Sequence, residues 1–555
     1  MAEVLALIPT DLDRGFLGLP SRLAETLGDR SVLAQTVRRA ARIRQVKRVV
    51  LVCPVGQEPL ALLGEAEVDK PVEVFRTAAA GDDRYRAMRT SAWKWALGSW
   101  RGGLGGMTCY DALLPAKPLR EAMEEYGAAS AILIGADWPV VDPKLCENLL
   151  DLHLKHGAAM QIVFNQAPPG LSGIVVGTDL LDRLIESPSG GFGSLMAYQP
   201  SRPQADPVGK DVCVQIPPAV RNRAQRFVYD TAEAAARVAA IVDQLGSGMA
   251  DADASEIVGA ADTCLDDEGL PPQVTLELTA RRLVNGPIVA QHHVALERAD
   301  MSVGAAVEIV RQLGARGDLA LTLGGLGDAL LHAHCAEIVT AAHEAGVMGI
   351  AIETDLLVDE AALDALLAMP IDVVSVRLNA DTAGVYERAM GVDRFGEVMS
   401  NMERLINHRN RQAQDGHRPV GVPWIVPRLI KTAETLPDME RFFDRWVHFT
   451  GHAVIDPATT GRGPDGDLMP AGSPVMMAPP KRLACRQLER RMSIHADGRV
   501  ALCDQDWLCR DDAPDVTRVS VADAWRSLAP TRDAHGDGRW HELPLCAGCA
   551  EWHRP

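Results

Sequence analysis

The sequence predicts an α/β protein in three parts: a doubly wound domain, a partial (β/α) barrel and a small cysteine-rich module. Three observations predict it. Short apolar runs alternate with helix-period segments up to about residue 245, and again over residues 272–468. A small, acidic, glycine-punctuated stretch, residues 246–271, separates the two series and reads as a linker. Five cysteines, Cys485, Cys503, Cys509, Cys546 and Cys549, then gather in the tail, residues 469–555.

In the first domain, residues 1–245, the strands expected are Val4–Ile8, Arg48–Val52, Ser130–Ile134 and Met160–Phe164. Helix-period segments such as Ser31–Ile43 and Pro143–His156 lie between them. Such alternation gives a mostly parallel sheet covered on both faces, and ligands sit beyond the carboxyl ends of its strands. The loop from Pro9 to Leu23 and the turn at Asp137 both fall there. An Asp after a strand also caps helices, and Asp230 before an alanine-rich helix is a fair N-cap, so each carboxylate has a structural reading too. The run SWRGGLGG, Ser99–Gly106, reads as a substrate-side loop or an ordinary turn.

These segments resemble the nucleotidyltransferases of GT-A-like fold, especially the cytidylyltransferases that activate surface sugars. TDLDRGFLGLPSRL carries the Leu19-Pro20 pair, with Arg22 at the place of the family's lysine. GDRSVLAQTVRRA continues the likeness, and GADWPVVDP and YDTAEAA follow it. The resemblance implies Mg²⁺ held by Asp137 and Asp230, Arg14 and Arg22 on phosphate, and CTP or another NTP as the nucleotide. Attack on an α-phosphorus needs such a metal, and cations to draw charge off the pyrophosphate. The loop departs from the family in carrying Asp11 and Asp13 and lacking a Gly-Ser run, which predicts repulsion of phosphates.

In the middle region the strands expected are Val274–Thr279, Leu319–Leu323, Gly349–Glu353, Val373–Leu378, Val422–Val426 and Ala453–Ile455, with helices between them. Six such units make a partial barrel whose active face is the carboxyl end of its strands. The segments Leu276–Thr279, Gly325–His332, Glu353–Leu356 and SVRLNADTAGVYERAMGVDRFGEV resemble, in order, stretches of the radical SAM barrel. The resemblance implies a SAM pocket at Glu277, Gly325, Gly327 and Asp328. The family's three cluster cysteines are absent: their positions hold Arg282, Gly286 and Val289, with no cysteine between Cys264 and Cys335. SAM cleavage by the usual route is therefore not expected. His292 and His293 read as a solvated pair or metal ligands, and Cys335 as a buried thiol. Glu277 and Asp381 read as ordinary barrel carboxylates or acid–base groups.

Four thiolates in the tail suit an iron–sulfur cluster or a structural zinc, and one tight CAGC knuckle with two single cysteines leans toward a cluster. Unrelated buried thiols are the plain alternative. The run from Cys485 through Asp497-Gly498, Cys503, Asp506 and Ser520–Trp525 to the closing CxxC resembles the SPASM module of radical SAM enzymes. The resemblance implies one [4Fe-4S] cluster on Cys485, Cys503, Cys546 and Cys549, with Cys509 a fifth candidate.

The formal charge of −18 over 555 residues argues against a nucleic-acid partner. No run approaches a membrane span. The opening MAEVLALIPTDLDRG reads as a strand without a basic leader. Eleven unevenly spaced cysteines suggest reduced thiols and a cytoplasmic setting. The expectation is a radical SAM/SPASM-superfamily iron–sulfur protein fused to a cytidylyltransferase-like domain. It would act on an activated sugar, a carrier-bound small molecule or a peptide, with a reductase or partner enzyme. The alternatives are a non-catalytic scaffold or regulatory subunit, and an active SAM enzyme with an atypical cluster site.

Overall fold

The computed structural model describes the chain except residues 1–2, 65–67, 79–82, 158–159, 187–190, 197–206, 224, 265–268, 413–420, 464–465, 470–478 and 554–555. It comprises two compact units, Met1–Asp267 and Glu268–Pro555.

The first unit is built on strands β1 (Val4–Pro9), β2 (Arg48–Pro54), β3 (Val72–Thr77), β4 (Ser130–Leu133), β5 (Ile162–Asn165), β6 (Ile174–Gly177) and β7 (Cys213–Val214). They form one sheet in the order β3-β2-β1-β4-β6-β5-β7. The first four pair in parallel, whereas β6 runs antiparallel to both β4 and β5. The order reverses at β1, between β2 and β4, and a doubly wound sheet opens its ligand crevice at such a reversal. Strand β1 is buried on both faces, as an unbroken apolar run in a central parallel strand must be.

Local chemistry sets the helix starts near this crevice. Asp142, not Asp137, caps helix Pro143–His156, accepting from Lys144 N at 2.7 Å. Thr231, not Asp230, caps helix Ala232–Leu245. Both carboxylates are thereby released from the structural roles open to them in the sequence. The stretch expected as a linker, whose residues 265–268 lie outside the described residues, contains helix Ala254–Ala261 with a capping box at Asp253 and Glu256. Asp142 also accepts from Ala254 N at 2.7 Å, tying the two helix starts together.

Arg39 fastens the same stretch from beneath. Its side chain is buried, and its three nitrogens donate to Val141 O (2.6 Å), Met249 O (2.7 Å) and Ala252 O (2.7 Å).

The second unit carries β8 (Gln273–Leu276), β9 (Ala320–Leu323), β10 (Gly349–Thr354), β11 (Val373–Arg377), β12 (Trp424–Lys431), β13 (Val454–Pro457), β14 (Arg491–Ile494) and β15 (Val500–Ala501). Strands β8 to β13 are parallel and lie in sequence order. Sequential order with right-handed crossovers puts the helices on one side, which is the arrangement of an open (β/α) barrel. The tail completes this sheet: β14 pairs in parallel with the free edge of β8, Gln273 opposite Arg491, and β15 returns antiparallel. The helix Val521–Ser527 within SVADAW is capped by Ser520, and Gln312 of a barrel helix accepts from its Val521 N. The cysteine-rich tail therefore shares the barrel's sheet and core. Of the expected tail, residues 470–478 lie outside the described residues. No helix among the described residues is long and apolar enough to cross a membrane.

Replacing Arg39 by Met removes three hydrogen bonds and strands three buried carbonyls, a loss of about 3–5 kcal/mol. Urea denaturation of the full chain should read that loss, and residues 246–252 should become the first site of limited proteolysis.

Candidate functional site

In the first unit a cleft with about 1380 Å³ of open space lies beyond the carboxyl ends of β1, β2 and β4. Arg14, Arg22, Asp137 and Asp230, the four residues singled out in the sequence, all line it. So do Asp11 and three arginines the sequence did not disclose, Arg86, Arg89 and Arg226. In Asp83–Trp93, Arg86, Arg89 and Trp93 stand at i, i+3 and i+7, so one helix face turns two cations and an aromatic toward the cleft. That spacing was legible; what it faced was not. Five guanidinium groups thus meet three carboxylates in a chain whose overall charge is −18.

One of the loop's two acids, Asp11, is answered by a cation. Asp11 accepts from Asp13 N, Arg14 N and Gln57, and pairs with Arg86 at 3.0 Å. These bonds outweigh burial and hold the Asp11 carboxyl below its usual range. Arg86 also donates to Arg14 O (3.1 Å) and Gly15 O (2.8 Å), so one guanidinium cancels the acid and fixes the loop backbone. The repulsion expected from Asp11 is therefore corrected, whereas Asp13 is exposed and accepts from the neutral Gln57 amide at 3.1 Å.

Gly135 is fixed by close packing: a Cβ there would collide with the Trp138 indole, which folds back over the turn holding Asp137. Tyr229 N donates to Asp137 O at 2.8 Å, which draws the two carboxylate-bearing segments together. Burial, with the Asp230 carboxylate beside it, pushes Asp137 well above the usual carboxylate range. Asp230 itself receives both ends of the Arg226 guanidinium at 2.6 Å. A divalent ion shared by the two carboxylates would compete with this fork for both Asp230 oxygens, so the residues present fit poorly the metal that the resemblance implies.

In the second unit Glu277, Gly325, Gly327 and Asp328 converge at the carboxyl ends of β8 and β9, but protein groups already hold them. Glu277 is buried, pairs with Arg298 at 3.3 Å and accepts from Leu326 N and Ala496 N. Asp328 accepts from Leu330 N, Thr354 Oγ1 and Asp355 N. The carbonyls of Gly325 and Gly327 accept from Arg377. Where the family keeps its first cysteine, the Arg282 guanidinium is buried in a two-point pair with Asp355, which is 1 % exposed. A Cβ on Gly286 would strike Ala389 O, and Val289 is fully buried in the core. The barrel mouth therefore does not fit a three-cysteine cluster.

The other candidates have simpler places. His292 and His293 bond to the carbonyls of Asn285 and Pro287, Cys335 is buried in the core, and Asp381 pairs with Arg441 and Arg445.

In the tail, Cys485 precedes a short helix, Cys503 follows β15, and Cys546 and Cys549 flank a single turn. Cys485, Cys503 and Cys546 pack around Leu488, Leu502 and Leu545. Cys546 lies within electrostatic reach of Cys485, Cys503 and Cys549. Burial pushes Cys546 up to about 12. Among the described residues no three His, Cys, Asp or Glu side chains surround a single ion. A four-iron cluster makes a different demand, because each thiolate binds its own iron and the sulfurs stand farther apart. The donor set fits that group in number and kind. Cys509 has another partner: its thiol meets His495 Nδ1 at 3.2 Å.

Burial, with Asp355 beside it, pushes Asp328 up to about 6 from an ordinary 3.8. Its folded-state proton affinity is raised, so its contribution to stability is full below pH 3.8 and is lost as pH rises through about 6. Asp328→Asn should flatten that part of the stability–pH profile, read by thermal melts across the window.

No protein-family model matches the chain. A curated protein of Treponema pallidum (strain Nichols), described only as uncharacterized, is 27% identical over 184 residues, 32% of this chain and 46% of that one. The chain thus spans about half the length of this curated relative. Among solved structures, a cytidylyltransferase from Leptospira borgpetersenii is similar at 16% identity, covering 47% of this chain and 94% of that one, TM-score 0.32. Streptococcus suis SuiB bound to S-adenosylmethionine is similar at 11% identity, covering 54% and 77%, TM-score 0.39. BtrN in complex with AdoMet and 2-DOIA is similar at 12% identity, covering 50% and 93%, TM-score 0.32. The chain is thus similar over part of its length to a cytidylyltransferase and to proteins solved with S-adenosylmethionine, at scores that fix no activity.

Proposed function

We propose that the first unit binds a nucleoside triphosphate or nucleotide-activated sugar in its cleft, as a cytidylyltransferase-like site, and that the tail holds one [4Fe-4S] cluster. The observation that carries the first part is the arginine-rich lining of the cleft in an acidic chain. Anionic ligands are drawn to such a surplus, and guanidinium forks suit phosphate oxygens. Arg14 and Arg22, with no carboxylate locked bidentately to either, are the phosphate contacts. Asp137 is the proton-accepting or charge-balancing group beside the ligand. Phe16, Trp93 and Trp138 offer apolar walls for a base or sugar.

The second unit acts through its tail. Cys485, Cys503, Cys546 and Cys549 would hold the cluster, which when bound supplies electron transfer or a substrate contact. The barrel in front of it does not cleave SAM, because Arg282 and Asp355 fill the position of the cluster loop. That pair also favours a second reading, in which the barrel is a non-catalytic platform for a partner enzyme or a peptide.

Titrating the full chain with CTP should show binding that Arg14→Ala and Arg22→Ala each weaken by about tenfold, the loss of one charge-assisted contact. Absence of binding at millimolar CTP would leave only the platform. Anaerobic reconstitution should give close to four irons and four sulfides per chain, as one [4Fe-4S] cluster demands. Replacing Cys546 and Cys549 by Ala should abolish its visible absorption. Retained colour in that variant would overturn the ligand assignment, and about twice the iron in the wild type would overturn the reading of the barrel.

A further inference from the structure

Of the cleft's three carboxylates, Asp230 is gripped by the Arg226 guanidinium, and Asp137 lies near the same cation. Arg226 Nη1 and Nη2 each stand 2.6 Å from one Asp230 oxygen, and Nη1 also faces Thr231 Oγ1 at 3.4 Å. The side chains of Arg226 and Asp230 are 8% and 6% exposed, so this fork is a built part of the cleft wall. Arg226 Nε is buried without a hydrogen-bond partner, which leaves this cation one donor unused by the protein. Asp137 lies beside the pair through the Tyr229–Asp137 backbone bond.

A divalent ion placed on Asp230 would have to displace the fork or sit against its positive charge. Arg14, Arg22 and Arg89 add to that repulsion from the rest of the lining. The same cations do for a phosphate ligand what a metal does: they sit at fixed positions and draw negative charge off its oxygens. Arginine suits the place because it stays charged when buried and engages a carboxylate with one edge while presenting others.

We propose that Arg226, held by Asp230, occupies the place of the divalent ion, so that this cleft binds its phosphate-bearing ligand without a metal. The inference rests on the reading of the cleft as a nucleotide site and deepens it: the ligand class is a free polyphosphate anion, not its magnesium complex.

Two probes test it, CTP and inorganic pyrophosphate, titrated calorimetrically into the full chain in EDTA and in excess MgCl₂. Binding in EDTA that Mg²⁺ leaves equal or weakens is the expected result. Binding that Mg²⁺ strengthens overturns the inference while keeping the nucleotide reading. No binding of either probe in either buffer removes the reading and the inference together. A second arm follows Mn²⁺ by electron paramagnetic resonance and needs no nucleotide. Wild-type protein should show no bound Mn²⁺ that Asp230→Asn removes, and any such ion overturns the inference. Arg226→Gln should gain a Mn²⁺ site that the added Asp230→Asn change abolishes. A folded Arg226→Gln protein without that site also overturns it. If Arg226→Gln does not fold, the wild-type and Asp230→Asn comparison decides.

Discussion

The opposition of arginine to buried carboxylate is the interaction on which both candidate sites depend. Parallel sheets gather loops at the carboxyl ends of their strands, and in this chain those loops bring acids into low-dielectric surroundings. Arg226 answers Asp230, Arg282 answers Asp355 and Arg298 answers Glu277, all three acids buried, while the partly buried Asp11 is answered by Arg86 and Glu353 by Arg377 and Arg428. A lone ionised carboxylate in such a place would raise its own proton affinity, as Asp137 and Asp328 do. Breaking one partner from a buried pair costs far more than the pair gains in stability. The pairs therefore act as fixed geometry.

Their consequence differs between the two units. In the first, the guanidinium groups outnumber the acids, and the surplus faces an open cleft, so the arrangement can still receive an anion. In the second, charges close on one another: Arg282 and Asp355 satisfy each other, and Arg377 donates to the glycine carbonyls and to Glu353 at once. A mouth whose buried charges are largely paired with one another has little to offer a ligand. In the tail, by contrast, Cys485, Cys503 and Cys546 are brought together in one small apolar cluster.

The tail is attached through the barrel's own sheet. Because β14 continues the barrel sheet beside β8, the segment after Glu277 and the segment after Ile494 leave the same sheet edge together, and Glu277 accepts from Ala496 N across that boundary. The cysteines that follow are thus positioned from a paired strand, not from a free linker.

Much of this was legible in local pattern. Alternating apolar runs disclosed both sheets, because a buried parallel strand must be continuously apolar whatever it pairs with. The resemblance to the cytidylyltransferases marked Asp137, Asp230, Arg14 and Arg22, and the structure brings all four to one cleft. Cysteine density marked the tail and the SPASM resemblance marked four of its thiols, of which the fold packs Cys485, Cys503 and Cys546 into one small cluster. What the sequence by itself could not decide was partnership. Whether Asp11 repels a phosphate or is silenced by Arg86, whether Asp230 faces a metal or a guanidinium, and whether Arg282 lines an open mouth or seals it all depend on residues distant in the chain. Only the tertiary structure sets those pairs, because the energy of a buried charge is fixed by its neighbours in space and not by its neighbours in sequence.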